Sequence, residues 1–252
     1  MSNSSFKLLE TILYEPGNGF YLLEHHLHRL QTAINDFQRI DSALFHNDLS
    51  NQAIIDHLNI VPQDGDYQRV RLLVDTNSNV TVEHTQIPTP KFSFESLEEA
   101  AAVDSNISII LDSKPFDLEV DDPFVVHKTT RRDMYNLSRE RTHCDWDASA
   151  HKPFDVVLWN KEGNITETSI TNIAVRFLID GKHVWKTPKV KCGVLPGVFR
   201  SFLLQKEEMI EDAITTQELI EAQKKGYPIV CFNSVRKAYR VKLLLTIVTK
   251  IT

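Results

Sequence analysis

Phe124-Val125-Val126-His127-Lys128-Thr129-Thr130-Arg131-Arg132-Asp133-Met134-Tyr135 is where the chain changes character. The apolar triplet predicts a short strand end that carries Lys128 out of hydrophobic surroundings, so its amine is expected to be partly desolvated with a lowered pKa. The preceding segment, residues 112–123, is acidic, contains Pro115 and Pro123 and has no period, which predicts an interdomain linker. Residues 1–111 then form a small N-terminal α/β domain. There Leu27, Leu30, Ala33, Ile34 and Phe37 fall at helical spacing between Glu24 and Arg39. A short helix is expected over 52–58, a hairpin over 70–74 and 80–84 with its turn at 75–79, and a strand over 107–111. Residues 124–252 form a larger C-terminal domain. It opens with a helix over 129–143, continues with consecutive strands from Asp155 to Pro188 turning at 161–164 and 180–181, and adds helices over 198–205 and 216–225. A strand over 228–232 and an apolar run over 241–248 close it. Strands and helices mix without steady βαβ alternation, so the expected class is α+β.

The composition is that of a globular protein. Of 252 residues, 42% are hydrophobic and 25% charged, with 28 Lys and Arg against 34 Asp and Glu for a net charge of −6. A mildly acidic chain is poorly suited to bind nucleic acid or an anionic membrane. No apolar stretch approaches the ~20 residues of a membrane span. The opening lacks a basic region followed by an apolar run, so a soluble cytoplasmic protein is expected. The three cysteines, Cys144, Cys192 and Cys231, are too widely spaced for a disulfide framework or a zinc cluster, and no metal is expected.

Dinucleotide, P-loop, zincin and nucleophile-elbow motifs are all absent. His25, His26 and His28 crowd together, but positions i, i+1 and i+3 of a helix do not converge on one ligand, so they read as solvated or capping residues. Four other stretches carry more weight in combination. They are Glu24 to Leu30, His127 to Tyr135, Gly163 to Asn172, and Cys192-Gly193-Val194-Leu195-Pro196-Gly197-Val198-Phe199-Arg200. In this order and spacing, from Leu8-Leu9-Glu10-Thr11 to Phe232-Asn233-Ser234-Val235-Arg236, the chain resembles the class IV, or fold-type-IV, pyridoxal-phosphate enzymes.

The resemblance implies a two-domain homodimeric enzyme with pyridoxal 5'-phosphate in the cleft, the larger domain being barrel-like, and a role for each motif residue. Taken alone, Lys128 reads as a solvated surface charge; its context, His127-Lys128-Thr129-Thr130, matches the family's Schiff-base lysine. Glu167 matches the acid that keeps the cofactor ring nitrogen protonated, with Asn172 following in a Glu-x4-Asn pattern. Leu195 lies against the ring. Gly197, Val198 and Phe199 hold phosphate oxygens through backbone amides at a helix start. Where many relatives have a threonine hydroxyl, Phe199 offers only its N–H. Arg29 matches the arginine that reaches the phosphate from the other domain, and Ser234 sits in a late cofactor- and substrate-contacting loop. Tyr135 stands seven residues after Lys128, either at the cofactor or in the core of its helix.

Within the family, the opening Phe6-Lys7-Leu8-Leu9-Glu10-Thr11, the stretch Arg69-Val70-Arg71-Leu72-Leu73 and the loop Asn233-Ser234-Val235-Arg236 look most like the 4-amino-4-deoxychorismate lyases. That substrate is a small-molecule amine with two carboxylates. Arg69 and Arg71 share one strand face by alternation, and one of them is expected to anchor a carboxylate, with Arg236 as a second candidate. Thr11 is a candidate proton donor to the departing enolpyruvyl oxygen. Where many members have a glycine after the last arginine, this chain has Lys237. The alternatives are a class IV aminotransferase acting on D- or branched-chain amino acids, and a non-catalytic cofactor-binding protein.

Overall fold

The computed structural model describes residues 6–47, 49–63, 65–90, 93–116, 119, 122–147 and 152–245. Residues 246–248 of the expected terminal run, and 117, 118, 120 and 121 of the expected linker, lie outside the described residues.

Strand β1 (Lys7–Glu15) turns back into β2 (Gly19–Phe20). Gly17 and Gly19 adopt φ of 78° and 84° there, a conformation open to glycine at little cost. Helix α1 (Leu23–Ile40) and α2 (Asn51–Leu58) follow, then the hairpin β3 (Gln68–Asp75) and β4 (Val80–Gln86). The strands form an antiparallel sheet in the order β2-β1-β3-β4. The apolar stripe predicted for α1 is buried against Leu8, Leu72 and Val74 of that sheet. Asp75 closes the β3–β4 turn by accepting the amides of Asn77 and Asn79, each at 2.9 Å.

The second layer runs through α3 (Leu97–Ala102), β5 (Ser108–Leu111), α4 (Pro123–Val126), α5 (Asp133–Arg141), β6 (Asp155–Trp159), β7 (Ile165–Thr168), β8 (Asn172–Ile179) and β9 (Lys182–Pro188). It continues with α6 (Val198–Gln205), β10 (Ile210–Asp212), α7 (Thr216–Lys224), β11 (Ile229–Asn233) and β12 (Lys237–Leu244). Its eight strands are ordered β10-β9-β8-β11-β12-β5-β6-β7. The sheet curls until its edges approach, where the Ile165 amide donates at 2.8 Å to the Ile214 carbonyl just past β10. Ile109, Val157, Ile173, Val175, Ile229 and Val241 pack with Leu219 of α7 inside the curl. A reciprocal capping box, Thr215 with Glu218, starts α7 and contributes about 1 kcal/mol. The chain is α+β.

Four expectations need correction. Residues 108–111 were expected in the first domain, yet β5 lies between β12 and β6 of the second sheet and is parallel to both. The expected linker begins as part of that sheet's fabric: the Asp112 amide donates to Val157, and its buried carboxylate pairs with Arg141 at 2.6 Å. Phe124-Val125-Val126 is no strand end but the single turn α4, with Pro123 at its start and Asp122 accepting the Phe124 amide. The helix expected over 129–143 begins only at Asp133, because residues 129 and 130 are held extended against β1.

Candidate active site

A cavity of about 1130 Å³ opens where the two sheets face one another. Lys128 enters it from the extended segment before α5. The Leu9 amide donates to the Lys128 carbonyl at 2.9 Å, Thr130 N donates to Lys7 O at 2.9 Å, and Lys7 N donates to Thr130 Oγ1 at 3.0 Å. This pins the lysine backbone on both sides. The half-buried Nζ has no hydrogen-bond or ion-pair partner among the described residues. Burial, with Arg29 and Arg132 adding cationic repulsion, pulls its pKa down to about 8 against the opposing pull of Glu10 and Glu167. A far larger fraction of the amine is therefore neutral near physiological pH than for an ordinary lysine, although the ammonium form still predominates there.

Glu167 ends up across from it at the close of β7, 5% exposed. Tyr135 Oη donates to Oε1 at 2.9 Å, the Leu195 amide donates to Oε1 at 3.4 Å, and Asn172 Nδ2 donates to Oε2 at 3.4 Å. Burial nevertheless raises its pKa to about 7, the Tyr135 bond and the Leu195 amide opposing the rise. A buried carboxylate raised in this way gains stability from any cation placed beside it. Tyr135 is thus part of the site through Glu167 while its ring packs on Phe116, so it serves site and core together.

At one end of the cavity α6 starts with Gly197 as its N-cap and no side-chain cap, leaving the first amides directed outward. Gly197 has an ordinary φ, and its glycine is required by a close approach: a Cβ there would overlap Asn172 Oδ1 and sit 3.2 Å from Asn172 Cγ. Asn172 cannot swing aside cheaply, since its Nδ2 also donates to Leu195 O at 3.0 Å. Gly197→Ala is expected to displace Asn172 and lower stability by about 1–3 kcal/mol, read by denaturant titration; an unchanged midpoint would refute the packing argument. The Phe199 side chain is buried in a cluster with Tyr21, Phe202 and Phe232, and of the expected phosphate-binding residues Gly197 and Val198 line the cavity while Phe199 does not.

Arg29 lines this same end, with Nη1 3.4 Å from the Pro196 carbonyl. Behind it is a residue that sequence reading missed. Glu10, 2% exposed, takes Arg29 Nε at 2.8 Å on Oε1, and Arg29 Nη2 and His26 Nδ1 on Oε2. His26 is wholly buried, which corrects its reading as a solvated or capping residue; His25 is half-buried and only His28 of the three is exposed. The signal was present as a lone acid in the apolar run of β1, but nothing local showed which partners it would meet.

The remaining wall carries more cations. Thr11 and Arg71 are cross-strand partners in β1 and β3, and both line the cavity along with Arg69. Arg71 is occupied by Glu83 at 2.6 Å, whereas the β4 partner of Arg69 is the neutral Thr85. Arg69 has no acidic partner among the described residues. Neither does Arg236, which lies over the Phe154 ring at 5.0 Å. Ser234 Oγ donates to the Thr11 carbonyl at 3.1 Å, so its proton is already committed. Arg132, also unforeseen, donates to Ser169 O at 2.5 Å and lines the cavity near Lys128 and Glu167. Lys237 takes a left-handed φ of 53°, points away from the cavity and is held by Glu15 and Glu95.

The chain is similar to several known proteins. A provisionally named aminodeoxychorismate lyase of Schizosaccharomyces pombe is 31% identical over 94% of this chain and 90% of its own length. The aminodeoxychorismate lyase of Saccharomyces cerevisiae is 24% identical over 89% of this chain and 67% of its own. Among solved structures, a provisionally named amino-acid aminotransferase of Mesorhizobium loti superposes with a TM-score of 0.72 at 26% identity, covering 95% of this chain and 100% of that one. The 4-amino-4-deoxychorismate lyase of Pseudomonas aeruginosa shares the fold, with a TM-score of 0.64 at 16% identity over 94% and 83% of the two chains. Residues 7–244 match the family described as Amino-transferase class IV, and the chain belongs to that family of enzymes.

Proposed function

We propose that this enzyme uses pyridoxal 5'-phosphate to eliminate pyruvate from 4-amino-4-deoxychorismate, giving 4-aminobenzoate. The residues present fit the cofactor. The open amides of α6 and Arg29 meet at one end of the cavity and offer donors for an anion, and the buried Glu167 calls for a cationic partner such as a protonated ring nitrogen. Bound there, the cofactor supplies an aldehyde for covalent capture of an amine and a ring that withdraws electrons from the captured carbon.

The protein's own residues supply the rest. Lys128 Nζ, with its pKa pulled down to about 8, would be the amine that holds the cofactor covalently and the base that would accept the proton from the amine-bearing carbon. Glu167 would keep the ring nitrogen protonated, and Tyr135 and Asn172 hold Glu167 in place. The Thr11 hydroxyl is the proposed donor to the departing oxygen; Arg69 and Arg236 are the proposed carboxylate anchors.

The observation that favours the lyase over a transaminase is the pair of uncommitted arginines, Arg69 and Arg236, on a wall beyond the cofactor end, which matches a substrate with two carboxylates. The relatives named as lyases support the same reading. Arg69→Ala is expected to raise KM about tenfold or more with a smaller change in kcat. Arg71→Ala, which leaves Glu83 exposed to solvent, should change KM by less than about threefold. Steady-state kinetics on both variants decides it, and a larger KM effect from Arg71 would reverse the assignment. Turnover without any keto-acid acceptor is expected; a strict need for an acceptor would make the enzyme a transaminase.

A further inference from the structure

A buried carboxylate beside an anion-binding end is unexpected, because it repels the ligand that the site collects. Glu10 lies on the face of β1 opposite Leu9 and Thr11, toward α1, where both of its oxygens are taken. Arg29 gives it Nε and Nη2, which leaves Nη1 as the guanidinium corner directed at Pro196 and the start of α6. A carboxylate can only accept, so His26 contributes Nδ1–H at 2.6 Å, and its buried Nε2 is left as a bare acceptor without a partner. An unsupported arginine would scatter over many rotamers; clamped along one edge it presents one corner in a fixed direction. The pairing holds the Glu10 carboxyl down to about 2 despite its burial, so the clamp stays ionised throughout the neutral range.

We propose that Glu10, oriented by His26, is a positioning residue that aims Arg29 Nη1 at the phosphate group of the cofactor. The inference rests on the cofactor reading above. By this account Glu10 never touches the ligand; the fixed geometry outweighs its charge, because Arg29 and the α6 amides lie between it and the anion. The neighbouring residues of β1 hold other parts of the site, Leu9 binding the Lys128 carbonyl and Thr11 accepting from Ser234. One strand thereby sets the spacing between the lysine and the phosphate end.

The test is equilibrium binding of two probes to cofactor-free protein, pyridoxal 5'-phosphate and pyridoxal, which share ring and aldehyde and differ by the phosphate. Glu10→Gln is expected to weaken pyridoxal 5'-phosphate about ten- to hundredfold while changing pyridoxal by less than about twofold. Equal losses for both probes, or no loss for either, would overturn the proposal. Arg29→Ala separates it from the reading beneath: a reduced phosphate preference in Arg29→Ala but an intact one in Glu10→Gln removes Glu10 alone. An intact preference in Arg29→Ala removes both. Should Glu10→Gln not fold, His26→Phe and His26→Asn carry the test. Phe, lacking the donor, should lower the preference about threefold or more, and Asn, which keeps an N–H, should retain most of it. Equal preferences in those two variants would overturn the proposal.

Discussion

Lys128→Ala is expected to abolish covalent attachment of the cofactor and to reduce turnover by at least about three orders of magnitude. The effect is large because one amine serves twice, first as nucleophile and then as proton carrier, and no second lysine lines the cavity among the described residues. Alanine removes little packing and, among the described residues, strands no partner of Nζ, so thermal stability of the cofactor-free protein should change by less than about 1 kcal/mol. Mass spectrometry after borohydride reduction reads the attachment: a cofactor adduct on the wild type and none on the variant. The depressed pKa adds a pH signature. Below about 8 the ammonium form dominates and cannot attack an aldehyde, so the rate of cofactor capture should climb as pH rises and level off above that value. A capture rate still climbing steeply beyond pH 9 would contradict the desolvated, cation-flanked lysine.

Glu167→Gln is expected to retain the cofactor and to lower kcat by about 10²–10⁴. The amide replaces the carboxylate at nearly constant volume and keeps an oxygen to accept from Tyr135. It cannot hold a positive charge on the ring nitrogen, so electron withdrawal from the reacting carbon is lost. In the cofactor-free protein the carboxyl sits near pH 7 because burial disfavours its charge; a bound cation reverses that preference and draws it down. Cofactor affinity is therefore expected to fall modestly, and kcat sharply. Visible absorbance gives occupancy and initial rates give kcat. Full activity at full occupancy would exclude Glu167 from the chemistry.

Some of this was readable in the chain because the physics is local. The α1 stripe follows from helical spacing of Leu27, Leu30, Ala33, Ile34 and Phe37, and the β3–β4 hairpin from alternation bounded by Asp75 and Asn79. Motif order singled out Lys128, Glu167 and the Gly197 loop, and the structure brings all three to one cavity. What escaped depends on distant partners. β5 is four residues long and parallel to β6 and β12, with Ser108 opposite Lys242, so its place in the second sheet has no short-range signature. Thr129 and Thr130 have respectable helical neighbours, yet Thr130 N donates to Lys7 O and Thr129 sits opposite Leu8, more than a hundred residues away in β1. Glu10 and His26 meet only because α1 packs on β1. Lys237 shows the converse: it proves to be a left-handed backbone position after the Asn233–Arg236 loop, with its side chain anchored to Glu15 and Glu95.

The most direct measurement is product analysis by mass spectrometry. Purified protein is loaded with pyridoxal 5'-phosphate and given freshly prepared 4-amino-4-deoxychorismate, with no keto acid present. The account predicts 4-aminobenzoate and pyruvate in equal amounts over many turnovers, and neither product with Lys128→Ala. A wild-type protein that binds the cofactor, forms neither product and turns over an amino acid only when a keto acid is added would contradict it.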